Sequence, residues 1–282
     1  MEYKSITQED VFRLLPERDP ETHKGDYGKI LLVCGSKYYT GAPVFSAMGA
    51  LRTGAGLVYL AVPESIFAIE AVLLAEPIIY PLPEEDGKLS SAALETVLKL
   101  VEGKDAILLG PGLGQSQGVR EVVEGILETA KCPVVLDADG INVMTAHKDI
   151  LRGRTSPTVL TPHAGEFQRF AFPIEDDPVG AATKLARELG ATVVLKGHRT
   201  VTTDGETVYV NNTGNPGMAT GGSGDVLAGI ITSLIGQGLS PLEGAACGVW
   251  LHGAAGDKCA KKIGMYGMLP SDILIELPRL LK

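Results

Sequence analysis

A glycine-rich turn near residue 220 carries the residue types that phosphate chemistry requires. The segment Gly221-Gly222-Ser223-Gly224-Asp225 leads into a helical pattern of apolar residues, with the helix predicted to start at Gly224 or Asp225. A glycine run that enters a helix points unpaired N–H groups at one place, and the helix dipole adds partial positive charge there. The sequence therefore predicts an anion hole at Gly222, Ser223 and Gly224. The segment is not a Walker P-loop, whose G-x-x-x-x-G-K-[ST] pattern does not occur in the sequence.

The aspartate at the end of this turn has two interpretations. A carboxylate at a helix start is ordinarily an N-cap, which stabilises the helix by about 0.5 to 2 kcal/mol and does no chemistry. Asp225, however, directly follows a glycine tract long enough to bind a phosphate. Phosphoryl transfer needs both charge stabilisation of the phosphoryl group and a base for the attacking hydroxyl. The combination favours Asp225 as a catalytic base, with helix capping as the alternative.

The elements that would position this turn form an alternating pattern of short aliphatic runs and helical stretches. The runs are apolar throughout, as parallel strands buried on both faces are. The pattern predicts one α/β domain over residues 1–282, with a mostly parallel sheet, helices on both faces, and an N-terminal helical extension over 1–25 packed on it. The predicted strands are 30–33, 57–62, 106–109, 134–136, 158–160 and 193–195, with a hairpin of 201–203 and 207–210 around Asp204-Gly205. The predicted helices are 6–15 with Thr7 as N-cap, 43–53, 91–102, 117–130, 179–189, 225–235, 241–259 and 271–281, and 161–166 is predicted to open another.

Composition narrows the function classes. A net charge of −9 over 282 residues argues against a nucleic-acid or membrane surface, and aromatic residues at 5% are too sparse for base-stacking platforms. The four cysteines form no C-x-x-C pair, which indicates reduced thiols and a cytoplasmic protein. Neither an export signal nor a membrane-spanning run is indicated.

Five passages, in the expected order over roughly residues 24 to 257, make the chain resemble the nucleotide-dependent (S)-NAD(P)H-hydrate dehydratase family, a branch of the ribokinase-like fold. Together they are far more specific than a single glycine motif. The passages are 24–29 with Gly35-Ser36, 39–43 continuing to 52–56, 110–114, 161–166, and 215–225. The resemblance implies a single ribokinase-like α/β domain.

The resemblance also implies roles for individual residues at the predicted strand ends. The implied contacts to the hydrated cofactor are Ala42, Gly112, His163 and Asp225, and the implied nucleotide contacts are Lys196, Gly197, His198, Arg199, Thr200 and Gly224. The residues alone leave plainer alternatives open. Small residues such as Ala42 and Gly112 can serve close packing, and Lys196 can be a solvated loop residue.

A metal role is implied for Glu166. Related kinases carry an Asn-x-x-Glu that organises Mg²⁺ through water, and here His163 stands in the place of the asparagine. That departure suits the dehydratase branch, in which the histidine is expected at the substrate. Asp139 is a second candidate for the outer shell of Mg²⁺, with helix capping an equal alternative. For Glu166 the alternative is an ordinary first-turn glutamate.

The implied reaction is the repair of hydrated NADH or NADPH by a lyase. MgADP, or ATP, phosphorylates the ring hydroxyl, and elimination then restores the ring double bond. A homotetramer and a separate NAD(P)H-hydrate epimerase are implied as well. Two alternatives remain: an ATP-dependent kinase of a small alcohol such as hydroxyethylthiazole or hydroxymethylpyrimidine, and a non-catalytic nucleotide-binding protein.

Overall fold

The structure is a computed structural model that describes residues 3–174 and 176–281. Its strands are β1 Lys29–Val33, β2 Leu57–Pro63, β3 Ile78–Leu82, β4 Glu84–Glu85, β5 Lys88–Leu89, β6 Ala106–Leu109, β7 Val134–Leu136, β8 Thr158–Leu160, β9 Thr192–Leu195, β10 Val201–Thr203 and β11 Val208–Val210. Its α-helices are α1 Gln8–Leu14, α2 Gly41–Arg52, α3 Glu64–Leu73, α4 Leu94–Val101, α5 Gln117–Thr129, α6 Asp139–Val143, α7 Lys148–Gly153, α8 Ala164–Phe170, α9 Pro178–Leu189, α10 Ser223–Gly236, α11 Pro241–Ile263 and α12 Pro270–Leu280.

Nine strands form one sheet in the order β11-β10-β9-β8-β7-β6-β1-β2-β3, and β4 pairs only with β5. Strands β1 to β3 and β6 to β9 run parallel, whereas β10 pairs antiparallel with both β9 and β11. The predicted mostly parallel α/β sheet is confirmed. The predicted hairpin also forms, but β11 begins at Val208 and not at Thr207, so the connection runs over four residues rather than the three that the predicted strands leave. Within it, Asp204 Oδ1 accepts the N–H groups of Glu206 and Thr207. The edge strand β3 was not predicted, because it is half-exposed and contains a proline.

Burial on both faces explains why the central strands lack a polar alternation. In β1, Leu31 and Val33 pack against α4 and α5 in one cluster, whereas Ile30 and Leu32 pack against α2 and α10 in another. All four side chains are fully buried. Helices therefore cover both faces of the sheet, as predicted, and the polar residues that follow each strand are left at the sheet's carboxyl edge.

Two glycines bring α2 and α10 into backbone contact. A Cβ atom at Gly229 of α10 would lie 2.1 Å from the carbonyl oxygen of Ser46, and one at Gly49 of α2 would lie 2.5 Å from that of Val226. No side chain fits in either place. The close contact fixes the N-terminus of α10, with its glycine turn, beside the N-terminus of α2.

Replacing Gly229 tests this packing. Gly229→Ala is expected to lower the free energy of unfolding by about 1–3 kcal/mol, because the methyl group forces the helices apart. Urea unfolding at an unchanged slope measures the effect. Gly153→Ala, at an exposed helix position with no atom within 4 Å of the new Cβ, is the matched control and should not destabilise the protein. Equal stability of the two variants would show that the helices are not held this tightly.

The N-terminal segment packs against the back of α10 and α11. Thr7 caps α1, since its Oγ1 accepts the Asp10 N–H at 3.2 Å, as predicted. Val11 is fully buried in a cluster with Ile230 and Leu251. Met1 and Glu2 of the predicted extension lie outside the described residues.

Two predictions about environment can be compared with the described residues. None of their helices is long and apolar enough to cross a membrane. All four cysteines are free thiols, of which Cys34, Cys247 and Cys259 are buried and Cys132 is partly buried.

Candidate active site at the carboxyl edge of the sheet

Three neighbouring strands end in polar residues that meet at the carboxyl edge. Asp137 follows β7, Thr161 follows β8 and Lys196 follows β9. Asp137 Oδ1 accepts hydrogen bonds from Thr161 Oγ1 and from Lys196 Nζ, both at 2.7 Å. The Asp137 carboxylate is buried, and the Lys196 side chain is 17% exposed. In open parallel sheets ligands bind beyond this edge, so the cluster forms the floor of a candidate site.

The glycine turn of residues 221–225 lies next to this floor, since Gly224 adjoins Lys196 Nζ. Gly222, with a φ of 92°, is the residue that caps α10, so the helix begins at Ser223 and not at Gly224 or Asp225 as predicted. Within the described part of the chain, the N–H groups of Gly222, Gly224 and Asp225 have no acceptor. The Ser223 N–H differs from the prediction, because it donates to the Thr220 carbonyl at 3.3 Å. The amides left free in the turn are therefore those on either side of Ser223, which form a candidate anion hole.

Asp225 is the third residue of α10, so it is not the N-cap. Its carboxylate takes part in no hydrogen bond with any described residue and is only half-buried. Burial raises the pKa of Asp225 to about 7, the negative charge of Asp137 adds to the rise, and the positive charge of Lys196 opposes it. A carboxylate with this pKa can exchange a proton near neutral pH, as a general base must.

The Lys196 ammonium group lies between Asp137 and the glycine turn. Burial alone would lower the pKa of its ammonium group, but the carboxylates of Asp137 and Glu166 raise it above the ordinary value. Lys196 Nζ is 3.9 Å from Glu166 Oε2. A Cβ atom at Gly224 would lie 3.4 Å from Nζ, so the ammonium group adjoins the free amides. Lys196 thus supplies a fixed positive charge beside the free amides of the turn.

His163 and Glu166 form a reciprocal cap at the start of α8. His163 Nδ1 accepts the Gly165 and Glu166 N–H groups at 3.0 and 3.2 Å, and Glu166 Oε2 accepts the His163 N–H at 2.8 Å. The imidazole is half-exposed, whereas the Glu166 carboxylate is 6% exposed. The histidine ring is therefore held at the rim, and the carboxylate lies behind it, close to Lys196.

The structure brings Ala42 and Gly112 together, although 70 positions separate them in the chain. A Cβ atom at Gly112 would lie 2.8 Å from the Ala42 Cβ, and φ at Gly112 is 65°, so only glycine fits. Ser36 Oγ donates to the Gly112 carbonyl at 2.7 Å. The Gly112 loop is also tied to the start of α6, because the Gly114 N–H donates to Asp139 Oδ2 at 2.8 Å.

The predicted nucleotide stretch after Lys196 is an exposed turn. Thr200 Oγ1 donates to the Gly197 carbonyl at 3.0 Å, and Arg199 takes a left-handed φ of 61°. Gly197, His198 and Arg199 are exposed. The turn is therefore accessible to a ligand that lies along the edge of the sheet.

Two residues at the site were not predicted to act there. His252 of α11 is buried, and its Nε2 lies 3.3 Å from Ser223 Oγ. Burial lowers the pKa of His252 to about 4, and the charge of Lys196 contributes, so the ring is neutral at pH 7. His252 thus braces the turn from behind. The partnership of Asp137 with Lys196 was also not predicted, because nothing in the sequence shows that β7 and β9 flank β8.

Metal ligands are sparse at the site. Among the described residues, no group of three His, Cys, Asp or Glu side chains is arranged to hold an ion. Glu166 Oε2 is already occupied by the His163 N–H. Mg²⁺ commonly keeps several waters and binds through one or two carboxylates plus substrate phosphates, so the residues suit an ion that arrives with a nucleotide.

A family model described as NAD(P)H-hydrate dehydratase matches residues 30–279. The bifunctional NAD(P)H-hydrate repair enzyme of Moorella thermoacetica is 45% identical over 275 residues, which are 95% of this chain and 52% of that protein. The chain spans about half the length of such bifunctional relatives. The ADP-dependent (S)-NAD(P)H-hydrate dehydratase of Listeria monocytogenes is 36% identical over 281 residues, covering 99% of this chain and 96% of that one.

The fold agrees with a solved structure. The crystal structure of the ADP/ATP-dependent NAD(P)H-hydrate dehydratase of Bacillus subtilis, co-crystallised with ATP/Mg²⁺, superposes with a TM-score of 0.86 at 31% identity. The match covers 99% of this chain and 98% of that chain. The predicted ribokinase-like fold is confirmed.

Proposed function

Because the chain belongs to the NAD(P)H-hydrate dehydratase family, we propose that it removes water from hydrated NADH and NADPH at the expense of an adenine nucleotide. ADP is the proposed donor and ATP the alternative. The observation that carries the proposal is a carboxylate without hydrogen bonds to any described residue, Asp225, next to free amides in the same turn. A proton acceptor and a phosphoryl site are thereby adjacent, as transfer to a hydroxyl demands.

The first proposed step is transfer of the terminal phosphoryl group of ADP. The ring hydroxyl of the hydrated nicotinamide gives its proton to Asp225, and its oxygen bonds to phosphorus as the bridging P–O bond breaks and AMP leaves. The N–H groups of Gly222, Gly224 and Asp225 stabilise the charge on the phosphoryl oxygens. Lys196 adds its positive charge from the other side.

The second proposed step is elimination. The C–O bond breaks with departure of phosphate, which is a far better leaving group than hydroxide. The neighbouring ring carbon gives a proton to water, and its C–H electron pair restores the double bond. Ala42, Gly112 and His163 are proposed to hold the ring. The close approach of Ala42 and Gly112 leaves a surface of small residues beside the half-exposed imidazole, which suits a flat ring.

The stretch from Lys196 to Thr200, with Gly224, is proposed to hold the nucleotide. Mg²⁺, bound to the phosphates and in contact with Glu166 through water, would neutralise charge on the phosphoryl oxygens. Assembly as a homotetramer and supply of the substrate epimer by an NAD(P)H-hydrate epimerase remain proposals drawn from the family.

One assay tests the function. Hydrated NADH is incubated with the protein, MgCl₂, and ADP or ATP in parallel, and the absorbance of the reduced nicotinamide ring is followed. Regained absorbance together with AMP or ADP release supports the dehydratase. A stable phosphorylated product of a small alcohol, without regained absorbance, would instead identify a kinase.

The pH dependence of this activity follows from Asp225. A base acts in its ionised form, and burial raises the pKa of Asp225 to about 7, with Asp137, Lys196, Asp139 and Glu166 as its charged neighbours. The value of kcat/KM should therefore fall about tenfold per pH unit well below pH 7 and level off above pH 8. An aspartate with the ordinary pKa of 3.8 would give a flat profile from about pH 5 to 8. A flat profile would thus contradict the assignment.

A further inference from the structure

The buried Asp137 carboxylate has a role that the proposed reaction does not itself assign. Its backbone is fixed, because the Asp137 N–H donates to the Leu109 carbonyl at 3.0 Å and its own carbonyl accepts the Gly140 N–H at 2.9 Å. Its side chain is 2% exposed. A carboxylate this deeply placed cannot reach a large ligand directly, so its effect has to pass through the groups that it touches.

The charged group that Asp137 contacts is the Lys196 ammonium. Lysine has a flexible four-carbon stem, and its side chain loses about 2 kcal/mol of rotamer entropy when it is fixed. In the structure that stem is already fixed, because Nζ is bound to Asp137 Oδ1 at 2.7 Å. Thr161 Oγ1 donates to the same oxygen at 2.7 Å and so holds the carboxylate in its rotamer.

Other carboxylates compete for this ammonium group. Glu166 Oε2 lies 3.9 Å from Lys196 Nζ, and the charge of Asp225 also acts on it. If the Lys196 ammonium turned to Glu166, its charge would move away from the free amides of the turn. If it turned to Asp225, it would form an ion pair with the proposed base. The shortest contact is the one to Asp137, and it places Nζ next to Gly224.

From this geometry we propose that Asp137 is a positioning residue that holds the Lys196 ammonium at the anion hole for the phosphates of the nucleotide. The proposal rests on the proposed nucleotide site. In this role Asp137 acts through Lys196 and needs no contact of its own with nucleotide or hydrated cofactor. Thr161 is a second positioning residue, because its hydroxyl orients the Asp137 carboxylate.

The direction in which Asp137→Asn changes the affinity for ADP distinguishes a positioning role from a purely electrostatic effect of the Asp137 charge. Asp137→Asn removes a negative charge near a phosphate site, which by charge alone would tighten ADP binding. Positioning predicts the opposite: ADP with Mg²⁺, measured by calorimetry without the hydrated cofactor, should bind about tenfold more weakly, the worth of a hydrogen bond to a charged group. Binding as tight as that of the unchanged protein, or tighter, would overturn the proposal.

A double-mutant cycle completes the test. In a Lys196→Met background no ammonium remains to be positioned, so adding Asp137→Asn should leave ADP binding unchanged or tighten it. An equal weakening in both backgrounds would show that Asp137 acts independently of Lys196. Asp105→Asn is the charge-matched control, since Asp105 accepts the Lys29 N–H at the opposite edge of the sheet. It should change the ADP affinity less than about twofold.

Loss of the buried charge could also unfold the protein, so a milder variant is included. Thr161→Val keeps the carboxylate and removes the hydrogen bond that orients it. We expect ADP binding to weaken by about threefold in a protein that still unfolds cooperatively, with a modestly lowered melting temperature. If a folded Thr161→Val variant binds ADP as tightly as the unchanged protein, Thr161 does not act as a positioning residue. A protein that binds ADP but does not dehydrate hydrated NADH would refute the proposed function and leave the role of Asp137 intact.

Discussion

Asp225→Asn is expected to reduce turnover of hydrated NADH by about 10²- to 10⁴-fold, the usual contribution of a positioned base. The amide has nearly the same shape as the carboxylate but cannot accept the hydroxyl proton. Because the wild-type carboxylate makes no hydrogen bond with a described residue, the substitution breaks no structural contact. The measurement is kcat in the absorbance assay, together with the melting temperature.

Affinity for ADP distinguishes loss of the base from loss of the site. The amides of Gly222, Gly224 and Asp225 belong to the backbone, so the variant keeps them. Its ADP dissociation constant should stay within about threefold of the original. Turnover at the original rate would remove Asp225 as the base, and a matching loss of ADP binding would indicate a collapsed turn instead.

Gly222→Ala is expected to lower kcat by at least about 10²-fold, which is the cost of displacing one donor of an oxyanion-type hole. A Cβ atom at this residue would lie 2.6 Å from two ring carbons of Phe45. The φ of 92° adds strain of about 1–2 kcal/mol for any residue with a side chain. The glycine turn and the Phe45 ring therefore have to move apart, and the free amides of the turn then move away from the phosphoryl group.

The matched control lies beyond the other end of the same helix. Gly238 has a φ of 104°, but a Cβ atom there would meet nothing within 4 Å. Gly238→Ala therefore carries the backbone strain without the clash, and should lower the free energy of unfolding by about 1 kcal/mol at unchanged kcat. If the two variants lose the same stability and neither loses turnover, the Phe45 contact does not hold the anion hole in place.

Much of the site could be predicted from local sequence because its parts are local. The glycine turn, its aspartate and the apolar helix after it are contiguous, so their chemistry could be inferred from residue type and order. The buried strands were equally clear, since burial on both faces leaves an unbroken aliphatic run. Strand β3 was missed because it lies at the edge and breaks that rule.

Two details of the glycine turn, which of its amides are free and where α10 begins, could not be predicted from the sequence. The sequence predicted three amides at Gly222, Ser223 and Gly224, yet the Ser223 N–H is taken by the Thr220 carbonyl. It also placed the start of the helix one or two residues too late. Both errors concern which carbonyl each N–H meets, and this depends on backbone angles that glycine leaves open.

By itself the sequence determined the class of sheet, the glycine turn at the start of a helix and the candidate base, since each depends on neighbours in the chain. Tertiary structure alone decided that Asp137 and Lys196 are partners and that His252 lies behind Ser223. Those contacts join residues 59 and 29 positions apart. They exist because the sheet places β8 between β7 and β9, and because α11 packs on α10. Strand order and helix packing are set by burial over the whole chain, which no local pattern encodes.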